Sequence, residues 1–179
     1  MFDAFRQRMG YRALDAAVAS RTAATLSPRL SDRSALVVLP AAEDEQRAAW
    51  AFIEALDIPR SQLTVVVVSE RVAYAPDRFA GAVKRIPDAA LDWRGVPRAD
   101  AVADLGRAAD VAVDLSEAGG LAARYLVGTS SSPVRIGRHE AGAERYYDLM
   151  LAGATTTSEL VAGLRRALDR LDPPILPLH

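Results

Sequence analysis

The chain has no cysteine and only two histidines, His139 and His179, among its 179 residues. The absence of cysteine excludes disulfides, thiolate metal sites and a cysteine nucleophile, and it fits a reducing compartment. Long apolar runs are also missing, since no window approaches the roughly 18 apolar residues of a membrane span. The first residues lack the apolar core of a signal peptide. We therefore expect a cytoplasmic protein with no membrane span.

An excess of one charge is missing too, because 22 basic residues nearly balance 23 acidic ones. The overall charge therefore requires neither nucleic acid nor an anionic membrane as a partner. Positive charge is concentrated locally, in residues 1–33, where six arginines stand against three aspartates. This basic leader is the clearest electrostatic signal in the sequence.

The leader is predicted to form an amphipathic helix over residues 2–26. Its apolar stripe comprises Phe2, Phe5, Met9, Ala13, Ala16 and Ala17. The simplest interpretation is a helix that packs its stripe on the domain behind it. Two alternatives stay open: a helix at a membrane surface, or a helix that docks on an acidic or RNA-containing partner. The docking residues would be Arg6, Arg8, Arg12 and Arg21.

The rest of the chain alternates between strand and helix patterns. Apolar runs at 35–39 and 63–68 flank a helix pattern at 43–56, which predicts a right-handed parallel βαβ unit. Further strands are predicted at 83–86, 111–115, 134–138 and 146–151, and further helices near 100–107, from 121, and from a cap at Thr157 or Ser158 to 171. The sequence thus predicts an α/β, Rossmann-like three-layer sandwich with a mostly parallel sheet of five or six strands. We expect a leader at 1–33, the α/β domain at 34–172 and an apolar tail at 173–179.

The turn after the first strand is a poor place for a nucleotide. Ligands of doubly wound sheets gather at the carboxyl ends of the strands, where glycines would expose backbone amides to a phosphate. Here the turn instead leads to the acids Glu43, Asp44 and Glu45, and neither GxGxxG nor GxxxxGK[ST] occurs. We expect these carboxylates to occupy the positive end of the helix dipole and repel a phosphate, and we expect no cofactor.

The turn after the fourth strand is a better candidate. Ser116, Gly119 and Gly120 lie there, while Arg138 and His139 end the fifth strand. Paired glycines can bring amides close to a small anion, although they also form tight turns for conformational reasons alone. These five residues are the predicted ligand-binding set.

Single residues in these regions have simpler explanations. Asp114 ends a strand and is expected to accept hydrogen bonds from turn amides, and Trp93 is expected to anchor packing. His139 has no second ligand at a recognisable spacing, so it predicts neither a metal site nor a general base. We assign no catalytic residue.

Residues 110–116, and the Arg-Ile-Gly-Arg sequence at 135–138 after an alanine-rich helix, resemble the amino-terminal half of heptosyltransferase-like (GT-B) glycosyltransferases. The resemblance implies a related half-domain. The catalytic features of those enzymes are missing, because the chain lacks both the acidic residue in a glycine-containing first turn and the second lobe that binds the nucleotide-sugar donor.

A resemblance over nearly the whole chain is to a bacterial family, domain of unknown function 6913. It rests on the order of the basic leader and the segments at 91–97, 113–116, 134–138 and 146–150. It implies a small cytoplasmic α/β protein and supplies no catalytic residues.

Two functions follow as hypotheses. The first is a non-enzymatic interaction or accessory module that docks on a larger cytoplasmic assembly, with RNA allowed as a component of that assembly. The second is a domain that binds a small anion or a nucleotide-sugar fragment. Self-association is a further prediction, because the leader stripe and the apolar tail both need cover.

Overall fold

The computed structural model describes residues 2–19, 33–103, 105 and 109–171, the last four without their side chains. Arg21, most of the linker and the predicted tail at 173–179 lie outside these residues. The predicted domain boundaries that fall there stay predictions.

A six-stranded parallel sheet forms the centre of the protein. Its strands are β1 Ala35–Leu39, β2 Leu63–Val67, β3 Val83–Arg85, β4 Val111–Asp114, β5 Val134–Arg138 and β6 Leu149–Leu151. They lie in the order β3-β2-β1-β4-β5-β6, and every pairing is parallel. The central strand β1 is buried at all five positions, as its continuous apolar sequence predicts for a strand covered on both faces. The predicted α/β Rossmann-like fold is confirmed.

Helices cover both faces of this sheet. They are α1 Phe2–Val18, α2 Glu43–Ala55, α3 Ala99–Ala103, α4 Leu121–Thr129 and α5 Thr157–Leu171. Helices α2 and α5 pack together on one face, while α1 and α4 pack together on the other. Within the described residues, no helix is both long enough and apolar enough to cross a lipid bilayer.

The face under α2 and α5 has an apolar centre. On the inward side of α2, Trp50, Phe52 and Ile53 are all buried. The indole of Trp50 stacks on Phe79 at 4.7 Å between ring centroids and donates its N–H to the carbonyl of Tyr74 at 3.0 Å. The aromatic body is thus buried while its one donor is satisfied.

The other face holds α1, but not by the predicted stripe. Leu14 is fully buried and Gly10 is buried, whereas Phe2 and Phe5 are 71% and 55% exposed. The prediction that the helix packs on the domain is confirmed, but its packing face is wrong: α1 rests on Gly10 and Leu14, while most of the predicted stripe is exposed.

Close approach at Gly10 explains this choice of face. A Cβ atom on Gly10 would lie 2.7 Å from the carbonyl oxygen of Arg94 and would overlap the side chain of Leu121. Glycine, which lacks a Cβ atom, therefore lets α1 lie directly against the start of α4.

Trp93 is not a buried packing anchor. Its side chain is 55% exposed, and its ring stacks on the equally exposed ring of Phe5 at 6.4 Å between centroids. Together with Phe2, these two residues are the large hydrophobic side chains exposed among the described residues. We refer to Phe2, Phe5 and Trp93 as the aromatic surface.

Candidate functional site

A cleft of about 470 Å³ opens at the carboxyl edge of the sheet, where the strand order reverses between β1 and β4. This position is where open α/β sheets generally bind ligands. Arg6 and Gln7 of α1 form part of its wall, and Ala41, Ser116 and Glu117 line it from the strand ends. The cleft is therefore the first place to look for a ligand.

The two backbone amides immediately before α2, at the edge of this cleft, are already bound by a carboxylate. Glu117 Oε1 accepts hydrogen bonds from the amides of Ala41 at 2.8 Å and Ala42 at 3.4 Å. These amides stand where a Rossmann-type fold would bind phosphate. We predicted that acids of the first turn of α2 would fill this position, but the carboxylate comes from the loop after β4.

The glycine turn before α4 is filled in the same way. Gly119 adopts a φ of +78°, which favours glycine, and its amide donates to Glu140 Oε1 at 3.0 Å. The other oxygen of Glu140 accepts from Arg124 at 2.7 Å. Burial tends to raise the pKa of Glu140, but the hydrogen bonds from Arg124 and Gly119 outweigh it and the pKa is lowered. The predicted anion site is thus occupied by an anion that belongs to the chain.

The amino end of α5 repeats the pattern. Thr156, one residue before the predicted caps, accepts a hydrogen bond from the amide of Glu159 at 3.2 Å. The Glu159 carboxylate accepts in return from the amides of Thr155 and Thr156, at 2.7 and 3.1 Å, as in a capping box. Hydrogen bonds from Thr155 lower the pKa of Glu159 to about 2. The amide of Thr157 donates to Glu45 at 2.7 Å, which places one of the acids of α2 on α5.

A buried polar network lies beneath the cleft, on the α1 and α4 side of the sheet. Asp114 Oδ1 accepts from the amide and hydroxyl of Ser116 at 2.9 and 2.6 Å, and Oδ2 accepts from the hydroxyl of Tyr147 at 2.5 Å. The prediction that turn amides satisfy Asp114 is confirmed. Burial raises the pKa of this carboxyl. The position beside Tyr147 requires glycine, because a Cβ on Gly137 would lie 2.6 Å from the ring.

Arg124 connects this network to α1. Besides its ion pair with Glu140, its guanidinium donates to the hydroxyl of Tyr11 at 3.1 Å. Tyr146, beside the same guanidinium, donates its hydroxyl to Asp15 at 2.5 Å. Burial and this hydrogen bond raise the pKa of Tyr146 to about 12. Two side chains of α1 are thus hydrogen-bonded to the body of the domain.

Sequence reasoning missed the residues of this network other than Asp114 and Ser116. Arg124 is 5% exposed and lies in a mostly apolar helix. An isolated charge in such a sequence is the signal that could have predicted a buried ionic group. Tyr147 was assigned to a strand at 146–151, but β6 begins at Leu149 and both tyrosines precede it.

The structure does not bring the five predicted ligand-binding residues together. Ser116 and Gly120 line the cleft, while Gly119 binds Glu140. Arg138 is buried on the opposite face of the sheet, where it donates to the carbonyl of Ala154 at 2.6 Å. Strand alternation separates it from the glycine turn.

The predicted loop histidine and docking arginines are exposed. His139 continues the sheet through its amide, which donates to the carbonyl of Leu151 at 3.0 Å, while the residue itself faces solvent. Arg6, Arg8 and Arg12 are exposed on α1. In the part of the chain that the structure describes, no three histidine or acidic side chains are grouped so that they could hold a metal ion.

Comparisons with protein-family models, curated proteins and solved structures found no match to this chain. The resemblances to heptosyltransferase-like enzymes and to domain of unknown function 6913 therefore stay predictions.

Proposed function

We propose that this chain is a non-enzymatic interaction module that docks on a larger assembly. The observation that carries the proposal is that carboxylates of the chain itself bind the backbone amides just before α2, α4 and α5, at the carboxyl edge of the sheet. Glu117, Glu140 and Glu159 each accept backbone hydrogen bonds there. An incoming phosphate or carboxylate would have to displace a carboxylate that is already bound. That carboxylate already interacts with the positive end of the helix dipole, which otherwise favours anion binding at such sites.

The buried network supports the same conclusion. Asp114, Arg124 and Tyr147 are each no more than 6% exposed, and they are hydrogen-bonded within the domain. A general acid or base has to come within hydrogen-bond distance of a reacting group. These side chains serve the packing of α1 and β4 rather than a substrate.

The aromatic surface provides exposed apolar area through which the module can bind a partner. Phe2, Phe5 and Trp93 are each at least 55% exposed. Interfaces between proteins are enriched in aromatic residues, methionine and arginine, and exposed apolar patches mark interaction sites. An assembly that contains RNA is compatible with the exposed arginines of α1, although it is not required by them.

The experiment is sedimentation of the natively expressed protein from gentle lysates at low and high salt. We expect the chain, 19.2 kDa by itself, to sediment with a much larger particle. Deletion of α1 would remove Leu14 from the core and destabilise the domain. The informative variant is therefore Phe2→Ser/Phe5→Ser. Its control is Ala51→Ser/Ala162→Ser, which changes α2 and α5 on the other face of the sheet. Only the first variant should shift to the single-chain position. A wild-type protein that sediments alone at low salt would contradict the proposal.

A second candidate function is a small-anion or nucleotide-sugar binding domain. The cleft of about 470 Å³ favours it, because Arg6 lines that cleft and makes no hydrogen bond or ion pair with the described residues. Thermal shifts with nucleotides, sugar phosphates and carboxylates separate the two candidates, since a ligand at one hundred times its Kd adds about 2.7 kcal/mol to stability. We expect no shift. A shift that disappears in Arg6→Gln would replace our proposal with this one.

A further inference from the structure

We propose that the solvent face of α1 is a docking site for an amphipathic helix with acidic flanks, supplied by a different protein. The inference rests on the proposed function and names the chemistry of the partner. It is carried by the position, the shape and the charge of one helix face.

The face is defined by the rotation of the helix, about 100° per residue. The buried positions, Gly10 and Leu14, set the inward direction. On an adjoining side of the helix, turned away from that direction, lie the members of what we call the outer stripe: Phe2, Phe5, Met9, Ala13 and Ala16. Three of them are exposed and two are half-buried. Helix α1 therefore has two apolar faces, and the residues that the structure describes bury only one of them.

The shape of the outer stripe suits another helix. Its first half carries the bulky rings of Phe2 and Phe5, extended by the indole of Trp93. Its second half carries only the methyl groups of Ala13 and Ala16, over which a second backbone can pass closely. A helix laid along the stripe would be close to α1 over the alanines and held at its end by the aromatic surface, which is the helix-in-groove mode of recognition.

The charge along the borders of the stripe is of one sign. Arg6, Arg8 and Arg12 are exposed there, and none of them makes an ion pair with the described residues. Asp15, near the carboxyl end of the helix, accepts a hydrogen bond from the hydroxyl of Tyr146 at 2.5 Å and forms an ion pair with Arg145 at 3.2 Å. Acidic flanks on the incoming helix would complement these arginines and raise its rate of association.

Other occupants fit the stripe less well. A second copy of the chain, paired antiparallel about Met9, would place Arg8 beside Arg12 of the other copy, and like charges at an interface are unfavourable. A lipid surface would bind the stripe weakly, because the half that consists of alanine would bury little apolar area in it. Single-stranded RNA would find stacking rings at one end only.

The test is site-specific cross-linking in the cells that encode the protein. A photoreactive phenylalanine replaces Ala16 on α1 or, as a matched control, the exposed Ala162 on α5, and the adducts are digested and sequenced. We expect Ala16 to capture a segment of a different protein that has apolar residues at helical spacing with glutamate or aspartate beside them, and Ala162 not to capture it. Adducts to RNA, to lipid or to the chain itself, or no adduct at all, would overturn the inference.

Charge reversal makes the test specific. We expect Arg8→Glu/Arg12→Glu to reduce the Ala16 adduct at least about tenfold, because it places acid against acid. The control Arg60→Glu/Arg166→Glu has the same net charge but changes exposed residues away from α1, and it should leave the yield unchanged. An undiminished adduct in the α1 variant contradicts the inference. If that variant still sediments with the larger particle, the interaction module stands while the acidic-helix inference falls.

Discussion

The two faces of the sheet are packed with different chemistry. Under α2 and α5 most buried side chains are apolar, such as Trp50 and Leu164, and the buried Gln46 and Arg138 hydrogen-bond backbone groups. Under α1 and α4 the interior contains the side-chain network of Asp114 and Arg124, and Arg124 also hydrogen-bonds a side chain of α1. Apolar contacts have no directional requirement, whereas a hydrogen bond holds its two groups within a narrow range of distances and angles. The comparison indicates that one face supplies stability and the other also fixes where α1 lies.

The strongest test of this comparison removes the central cation of the polar face. Arg124→Ala leaves Glu140 without its ion pair and Tyr11 without its donor, and we expect the free energy of unfolding to fall by about 4 kcal/mol. Native-state hydrogen exchange should then show that amides of α1 open before those of β4. Leu164→Ala on the other face should cost about 3 kcal/mol and leave α1 opening only together with the sheet. The comparison fails if α1 opens before the sheet in both variants, or only together with the sheet in both.

A second test compares two positions within α1. We expect Leu14→Ala to lower the free energy of unfolding by about 3 kcal/mol, because Leu14 is fully buried. Phe5→Ala should change it by no more than about 0.5 kcal/mol, because that side chain faces solvent. Urea denaturation measures both values. Equal losses would mean that the outer stripe packs on the domain after all.

A third test uses two glycines, one on each face. Gly137→Ala brings a methyl group into the ring of Tyr147 and should cost about 2 kcal/mol by overpacking. Gly163→Ala in α5 meets Leu151 at an ordinary 3.4 Å, and it should raise stability by about 0.5 kcal/mol through helix propensity. Thermal unfolding of the two variants gives the comparison, and a tolerated alanine at position 137 would mean that Tyr147 is free to leave Asp114.

The smallest expected effect is a difference in pH dependence between the two ends of β4. Burial raises the pKa of Asp114, so stability declines as pH rises from the ordinary carboxyl range through the raised pKa, and Asp114→Asn should remove this decline. Hydrogen bonds from Ser34 lower the pKa of Asp110, so its contribution is present above the ordinary carboxyl range and is lost as pH falls through the folded pKa. Denaturation as a function of pH should give slopes of opposite sign for the two aspartates.

The strands of the sheet could be predicted from the sequence because the patterns that indicate them are local. The runs at 35–39 and 134–138 are bounded by turn residues and have the pattern of buried strands, and each forms a strand with those bounds. Asp114 was also predicted correctly, since a carboxyl at a strand end has few ways to be satisfied other than the following turn.

The remaining features depend on contacts that periodicity does not record. The apolar stripe of α1 was identified correctly as a stripe, but its direction was decided by Gly10, where close approach to Arg94 favoured the other face. No local pattern indicates that Glu117 and Glu140 reach back to amides of earlier turns. Those contacts join residues that only the fold brings together.

The carboxylate bound just before α2 makes this domain a starting point for engineering. Glu117 is an exposed side chain whose removal requires no repacking of the core, since its hydrogen bonds are to the amides of Ala41 and Ala42. A Glu117→Ser substitution would leave two amides and a helix dipole facing the cleft that Arg6 already lines. Because Glu43 and Asp44 would still oppose a phosphate there, Glu117→Ser is the first of the substitutions that separate this closed scaffold from a phosphate receptor.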